Sequence, residues 1–180
     1  MIIEPVRPFL ACEFRVKFAT MNWERARAAA LRRAVFCEEQ RLFRGDDRDA
    51  IDEIAIPLVA LSSLGVAHED VVGTVRIHEA EPGLWWGSRL AVSRPYRKIG
   101  AIGTSLIRLA VSSAHAKGCR RFLAHVQSQN APLFHALHWH TLDQVMLHGH
   151  PHHFMQADLD FYPPLATPET GFLSHLKQAA

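Results

Sequence analysis

The segment best equipped for chemistry is a basic, glycine-containing turn that joins a β-rich run to a helical run. It reads Arg94-Pro-Tyr-Arg-Lys-Ile-Gly-Ala-Ile-Gly-Thr104. A helix N-terminus leaves backbone N–H groups unpaired and carries the positive end of the helix dipole, and glycine lets a ligand approach the backbone closely. Because Arg97 and Lys98 add positive charge at the same place, the turn predicts a phosphate-binding cradle. A solvated turn of similar composition is the alternative.

Histidine is the second source of candidate chemistry, since seven of the 12 histidines lie between His135 and His153. In an extended chain, the alternating His148, His150 and His152 would converge on a metal ion. No Cys or Glu completes a recognised metal-binding spacing there, so a polar hairpin turn is favoured and no metal site is predicted. A neutral imidazole near pH 7 can also deprotonate an amine, and His152 is the candidate for that role.

Apolar periodicity predicts the elements that position these residues, in the order β-α-β-β-β-α-β-α-β-β. The predicted strands are 12–18, 56–62, 71–78, 84–92, 122–127, 141–147 and 154–159, and the predicted helices are 22–39, 103–117 and 131–137. Asn22 is the expected cap of the first helix, and the charge-dense segment 41–51 is expected to be a loop or a short helix. No repeat or linker is visible, so the chain is predicted to be one domain over 1–180, with a core of about 12–160 and a C-terminal tail over 161–180.

Composition excludes several classes of function. The chain has 180 residues, with 20 Lys and Arg against 18 Asp and Glu and a formal charge of +2, so it lacks the basic stripe of a nonspecific nucleic-acid binder. The longest apolar stretch, over 54–67, is interrupted and too short to span a bilayer. No secretory signal is visible at the start, and three unpaired-looking cysteines are typical of a reducing compartment. We expect a cytoplasmic protein with no nucleic-acid or membrane partner.

Several motifs resemble the GCN5-related N-acetyltransferase (GNAT) family. They are the Leu90-Ala-Val92 strand end, the Arg94-Pro-Tyr-Arg-x-x-Gly100 turn, and Asn130 followed by a helix that ends in Leu137-His-Trp139. The resemblance spans roughly 12–160 and implies a mixed α/β (α+β) fold with a mostly antiparallel, twisted sheet of six to seven strands and helices on both faces. The segment 150–164 resembles the corresponding segment in a bacterial subgroup of the family, whose members are encoded beside nitrilase-type gene clusters.

The resemblance also implies how a co-substrate is held. In that family the turn holds the pyrophosphate of acetyl-CoA, the preceding strand pairs with the pantetheine arm, and a backbone N–H near Leu90 to Val92 would stabilise the oxyanion. The residues implied to contact acetyl-CoA, or another acyl-CoA, are Leu90, Ala91, Val92, Arg97, Lys98, Ile99, Gly100, Ala101, Ile102, Gly103, Thr104, Asn130 and Phe134. The register is open by one residue, because counting from Arg97 or from Lys98 ends the turn at Ile102 or at Gly103.

Two positions depart from the family pattern. Phe134 stands where a tyrosine often protonates the departing thiolate, and Trp86 stands where several members keep a glutamate base. Acyl transfer can proceed without either group, because general acid–base catalysis contributes about 10²–10⁴-fold whereas positioning is worth ~7–11 kcal/mol. The candidate catalytic residues that remain are Glu39, His78, Glu79, His125 and His152, and a structural role is the alternative for each. The segment Val35-Phe-Cys-Glu-Glu-Gln40 is similar to a helix end that forms a wall of the acceptor site in some acyltransferase relatives.

The leading hypothesis is therefore an acyl-CoA-dependent N-acyltransferase that acts directly on a small-molecule amine. A non-catalytic CoA-binding or regulatory module is one alternative, because the usual tyrosine and glutamate are missing. A metal-binding protein built on the turn over 148–153 is a second alternative. Acyl-homoserine-lactone-type synthesis is another, and it would need a long acyl pocket. Dimers are common among such relatives, so a homodimer is one expected state.

Overall fold

The structure, a computed structural model, describes residues 10–64 and 67–175. The strands within those residues are β1 (Glu13–Phe18), β2 (Ile56–Leu64), β3 (Ala67–Glu81), β4 (Leu84–Val92), β5 (Arg121–Gln127), β6 (Trp139–Leu147), β7 (His150–Ala157) and β8 (Phe172–His175). The α-helices are α1 (Asn22–Arg33), α2 (Ala101–Ala116) and α3 (Ala131–Ala136). The strands form one sheet in the order β6-β7-β5-β4-β3-β2-β1-β8.

Pairing in the described sheet is antiparallel with one exception. Strands β4 and β5 run parallel, and they are paired only at Leu84 with Arg121, Trp85 with Phe122 and Trp86 with Leu123. All other neighbouring strands are antiparallel. The predicted mixed α/β fold with a mostly antiparallel sheet is thus confirmed, and the short β8 raises the strand number to eight.

Helices cover both faces of the sheet, as predicted. On one face, Ala28 of α1 packs on Val59, Leu61 and Val71. On the other face α2 is apolar on nearly every side and contributes fully buried Ile102, Leu106 and Leu109 to the main core. These two layers are called the α1 face and the α2 face below.

The end of the first helix is wider than an α-helix. Residues Ala34–Glu39 form a π-helical turn, in which the backbone N–H of Gln40 bonds to the carbonyl of Val35 at 2.9 Å. The predicted helix over 22–39 is therefore correct in extent, but its last six residues are π-helical. Because Val35 and Phe36 pack on Ala91 of β4, this turn brings Glu39 and Gln40 to the end of that strand.

Several predicted boundaries were wrong. Helix α2 begins at Ala101 rather than at position 103, and β7 begins at His150 rather than at 154. Asn22 is the first residue of α1 and not its cap; the Glu24 carboxylate accepts hydrogen bonds from the N–H groups of Thr20 and Met21 instead.

The segment predicted to be a tail contributes to the fold. Within it, β8 pairs with β1, and Tyr162 is 4% exposed. Positions 1–9, where a secretory signal would lie, are outside the described residues. Among the residues that are described, no helix combines the length and the apolar composition needed to cross a bilayer.

Candidate active site

A cavity lies where β4 and β5 stop pairing. Beyond Trp86 and Leu123 the two strands diverge, and a cavity of about 490 Å³ occupies the gap. Its lining on the α2 face includes Val75, Gly87, Leu90, Ile107, Phe122, Ala124, Asn130, Phe134 and Trp139. Its lining on the α1 face includes Gln40, Phe43, Asp49, Arg76, His78, Trp86, Ser88, Arg89, His125, Gln127, His148 and His152. The cavity thus lies within the sheet and is bounded by side chains of both faces.

A β-bulge changes the direction of β4 beside this cavity. Thr74 pairs with Ala91 and Arg76 pairs with Ser88, so β4 has one more residue than β3 in this interval. The extra residue is accommodated at Arg89, whose φ is 57°. Bulges break the regular ladder and leave a residue unpaired. Main-chain groups of β4 are therefore released from regular pairing next to the gap.

An ionic network of three arginines and three aspartates holds this bulge. Arg76 is 2% exposed and binds both carboxylate oxygens of Asp49, at 2.7 and 2.9 Å. The Nε of Arg76 also donates to Ser88 Oγ at 2.9 Å. Arg89 binds Asp47 at 3.0 Å and Asp49 at 3.2 Å. The hydrogen bonds from Arg76 hold the pKa of Asp49 below its usual value.

The same network fixes the charged segment before β2. Arg32 of α1 binds Asp47 at 2.7 Å and Asp52 at 2.6 Å. Asp49 caps the short 3₁₀ turn Ala50–Glu53. The segment predicted to be a loop or a short helix thus ends in a short 3₁₀ helix and is joined by ion pairs to both α1 and the sheet. A sequence signal for this network is Arg76, which lies between the apolar residues Val75 and Ile77 and needs carboxylate partners when buried.

The turn before α2 has the geometry of an anion cradle. Residues Arg94–Ile99 form a 3₁₀ turn, and Gly100 follows with φ at 65°, a left-handed conformation that favours glycine. Gly100 is the N-cap of α2 and supplies no side-chain hydrogen bond to the first-turn amides. A Cβ added at Gly100 or at Gly103 would meet no described atom within 4 Å. The residues present therefore fit a diphosphate at the start of a sixteen-residue helix.

Arg97 is oriented differently from what the cradle alone predicts. Its Nε donates to the carbonyl of Val92 at 2.8 Å, and its Nη1 pairs with Glu39 Oε2 at 2.7 Å. Both side chains are a little over one third exposed. Glu39 therefore neutralises a cradle residue instead of standing as a free carboxylate.

The other predicted residues of the turn follow Arg97 in order. Lys98 is exposed, and Ala101 to Thr104 form the first turn of α2. Ile99 belongs to the 3₁₀ turn, and its side chain lies outside the described set.

Three of the five predicted catalytic residues lie in the cavity lining: His78, His125 and His152. Glu79 does not, because it is exposed and accepts a hydrogen bond from the N–H of Gly83 in the β3–β4 turn at 2.8 Å. Glu39 lies at the end of the π-helical turn and is paired with Arg97.

His152 has the geometry of a base. It is 7% exposed, and its Nδ1 lies 2.9 Å from the carbonyl oxygen of His150. A carbonyl oxygen only accepts hydrogen bonds, so Nδ1 carries the proton of the neutral ring. The lone pair is then on Nε2, which has no hydrogen-bond partner within the described part of the chain.

Burial disfavours the charged form of the two other lining histidines named above, His78 and His125. The pKa of His78 is lowered by burial and by the charge of Arg76, and its Nδ1 has no hydrogen-bond partner among described residues. The pKa of His125 is lowered by loss of hydration and then by the nearby His152. Both shifts disfavour a positive charge on this side of the cavity.

The two positions that depart from the family pattern are filled by packed aromatic rings. Phe134 is 6% exposed and packs edge-on against Trp139 at 5.1 Å between ring centroids. Trp86 stacks on Phe154. The one buried phenol nearby, Tyr162, is occupied: it accepts from Trp139 Nε1 at 3.0 Å and donates to the carbonyl of Leu137.

The histidines of the predicted turn have different surroundings. His152 and His148 both line the cavity, and His148 packs on Phe43 with ring centroids 4.9 Å apart. His150 is exposed and its carbonyl accepts a hydrogen bond from His152 Nδ1, whereas His153 bonds to Thr141 Oγ1 at 3.0 Å on the opposite face. No cluster of three or more histidine, cysteine or acidic side chains placed to hold a metal ion occurs over 10–64 and 67–175.

Two side-chain contacts bridge the gap on the α1 face. Gln127 Nε2 at the end of β5 donates to Gln40 Oε1 at 3.0 Å. Phe43 meets His148 of the β6–β7 turn. All four residues line the cavity, so these bridges form its outer wall.

Comparison with known proteins agrees with this architecture. A Lactobacillus plantarum protein assigned as an N-acetyltransferase superposes with a TM-score of 0.69 at 21% identity, over 80% of this chain and 97% of that one. Escherichia coli ElaA gives 0.68 at 17% identity, over 82% and 99%. BjaI, a CoA-dependent acyl-homoserine lactone synthase, gives 0.68 at 18% identity, over 88% and 94%. Identities this low show a shared fold alone.

Sequence comparison gives the family. No curated protein matches the chain. Residues 22–139, about two thirds of the chain, match the Acetyltransferase (GNAT) family, and the matched region contains the cradle, the bulge and both diverging strands. The chain therefore belongs to the GNAT acetyltransferase family.

Proposed function

We propose that the protein transfers an acetyl group from acetyl-CoA to a small-molecule amine by direct attack within a ternary complex. Family membership supplies the coarser statement, an acyltransferase that uses an acyl-CoA. The observation that most supports the finer one is the cavity between β4 and β5, because side chains of both faces line it. A thioester arm on the α2 face and an amine on the α1 face would meet there.

The donor side is built from α2 and the residues before it. First-turn amides of α2 and the open space at Gly100 and Gly103 suit a diphosphate, and Lys98 adds charge there. Leu90 and Val92 would offer main-chain groups to the pantetheine arm, with Asn130 and Phe134 alongside. Ala91 is 2% exposed and therefore contributes only its backbone.

The bulge in β4 suits the stabilisation of negative charge on the thioester oxygen. Preorganised backbone N–H groups are the strongest single device for an oxyanion. Arg76 and Arg89 hold the bulge through Asp49, so a main-chain N–H of 90–92 would be aimed before the substrate arrives. The guanidinium groups act through this positioning.

His152 is the proposed base. The amine nitrogen forms a bond to the thioester carbonyl carbon, the carbon–sulfur bond breaks, and the sulfur leaves as a thiolate. The proton lost by the nitrogen passes to His152 Nε2 and then to the thiolate or to water. Thiols have a pKa of about 8.5, so the sulfur leaves without a tyrosine at position 134.

Calorimetry with CoA tests the donor side. We expect the wild-type protein to bind CoA and Gly103→Asp to lose at least about tenfold in affinity, because a carboxylate would face the diphosphate. Gly103→Asn is the matched control, since it has the same size without the charge. Equal affinities for all three proteins, or no binding by the wild type, would overturn the proposal.

Thiol release separates an enzyme from a non-catalytic module. With acetyl-CoA and a panel of primary amines, we expect CoA thiol to appear only when an amine is present. Binding of CoA without thiol release for any amine would favour the regulatory module instead.

The proposed enzyme works in the cytoplasm, because CoA thioesters occur there. In that reducing compartment Cys12, Cys37 and Cys119 would persist as the free thiols observed. The enzyme has no nucleic-acid or membrane partner and forms homodimers. Sedimentation at micromolar concentration tests the assembly.

A further inference from the structure

We infer that the acceptor is a primary amine on a flat, uncharged aromatic body, and that the site discriminates against amines with a second positive charge. This inference rests on the proposed function, since it names the substrate class of the same cavity. Ring geometry and charge on the α1 face support it independently of each other.

One wall of the acceptor side is formed by the rings of Trp86 and His125, both of which contact Phe154. Trp86 and Phe154 are stacked with centroids 5.7 Å apart and planes 14° apart. His125 lies 5.2 Å from Trp86 and 5.3 Å from Phe154. Burial lowers the pKa of His125 and therefore disfavours a positive charge on its ring. The wall thus offers flat, uncharged surface to a ligand.

A second aromatic wall comes from the segment before β2 and from the β6–β7 turn. Phe43 meets the His148 ring, and the Arg89 guanidinium lies 4.4 Å from the Phe43 centroid. Phe43, His148, Trp86 and His125 all line the same cavity. A planar body entering from the α1 face would therefore contact rings on two sides.

Charge on this side is unfavourable for a second ammonium group. Among the described lining residues, Asp49 is the one carboxylate, and its two oxygens are already bound to Arg76 and Arg89. An ammonium group that enters finds no free carboxylate to compensate for its lost hydration. The guanidinium groups of Arg76 and Arg89 would also repel it.

The test compares kcat/KM for matched amines with acetyl-CoA at saturation. Tryptamine and phenethylamine provide an aromatic body, hexylamine an aliphatic one, and cadaverine a second charge. We expect kcat/KM for the aromatic amines to exceed that for hexylamine by about two- to tenfold, as a ring contact provides beyond burial, and that for cadaverine by at least about tenfold. Trp86→Leu should remove most of the preference over hexylamine. Trp86→Phe should retain it, and Trp23→Leu on exposed α1 surface should behave as the wild type.

The outcomes separate this inference from the proposed function. Turnover of cadaverine or hexylamine as fast as that of tryptamine, or an unchanged preference in Trp86→Leu, would overturn the inference and leave the acyltransferase standing. If CoA binds but no amine is acetylated, the proposed function fails. Calorimetric titration of tryptamine against cadaverine into the CoA-saturated protein then decides the inference: selective binding of tryptamine supports it, and its absence overturns it.

Discussion

Arg97 Nη1 lies 2.7 Å from Glu39 Oε2 and joins the turn before α2 to the end of the π-helical turn. One partner belongs to the proposed donor side and the other to the acceptor wall. The pair is partly exposed, so its net stabilisation is small, about 0–1 kcal/mol. The pair therefore connects the two sides but can break at little cost when a ligand competes for Arg97.

Removing Glu39 should strengthen donor binding. In Glu39→Gln, Arg97 is freed to approach the diphosphate, and we expect CoA affinity to rise by about two- to fivefold. Arg97→Ala should lower it. Calorimetry measures both changes. A Glu39→Gln enzyme that binds CoA normally but has lost turnover at saturating substrate would contradict this and mark Glu39 as the base.

Removing His152 should impair proton transfer. We expect His152→Asn to lower kcat by about 10²–10³-fold, because the cavity then lacks the base, with little change in KM for acetyl-CoA. Added imidazole should restore part of the activity. His150→Gln, at an exposed position of the same strand, is the control. Full activity in His152→Asn would show that another group accepts the proton.

Breaking the ionic network should destabilise the whole chain. Asp47 has a side chain 1% exposed between Arg32 and Arg89, and Asp47→Asn leaves both guanidinium groups undercompensated. We expect a loss of about 3 kcal/mol in the free energy of unfolding, measured by urea denaturation. Asp70→Asn breaks the exposed pair with Arg27 and should cost less than about 1 kcal/mol. Equal losses in the two variants would show that the network is dispensable.

Mild acid should also destabilise the chain. The pKa values of His78 and His125 are lowered in the folded state, so the unfolded chain binds protons that the folded chain rejects. Above about pH 6.5 this effect costs the folded state no stability. As the pH falls further, the free energy of unfolding decreases by at most ~1.4 kcal/mol per pH unit for each group. Unfolding measured at pH 7.5 and 5.5 should show the loss.

A histidine variant isolates that effect. His78→Gln should reduce the difference in unfolding free energy between the two pH values, while His140→Gln, at an exposed position, should leave it unchanged. A pH dependence that is identical in wild type and His78→Gln would assign the loss to other groups.

Local signals were enough to predict the turn before α2. The apolar period changes there, and Gly100 and the basic residues mark the turn, so the start of the helix was predicted to within two residues. The orientation of Arg97 could not be predicted in this way, because it depends on Glu39, which is 58 positions earlier in the sequence. Long-range ion pairs have no periodicity to reveal them.

The acceptor side depended on features that the sequence obscures. The bulge places a non-glycine residue, Arg89, in the left-handed conformation, and three separate segments supply the network that holds it. The histidines over 148–153 were expected to lie in a hairpin turn, yet β7 begins at His150 and includes Pro151. It is tolerated because pairing with β5 ends at His152, so its missing N–H faces no strand on that side. The placement of His152 in the cavity followed from this longer strand.

The short parallel pairing between β4 and β5 divides the described sheet into two plates. Three residue pairs, the helix layers and two side-chain bridges hold these plates together, whereas antiparallel ladders hold each plate internally. Any widening movement of the molecule would concentrate at this seam. The seam that opens the cavity is therefore also the place where the two plates would move relative to each other.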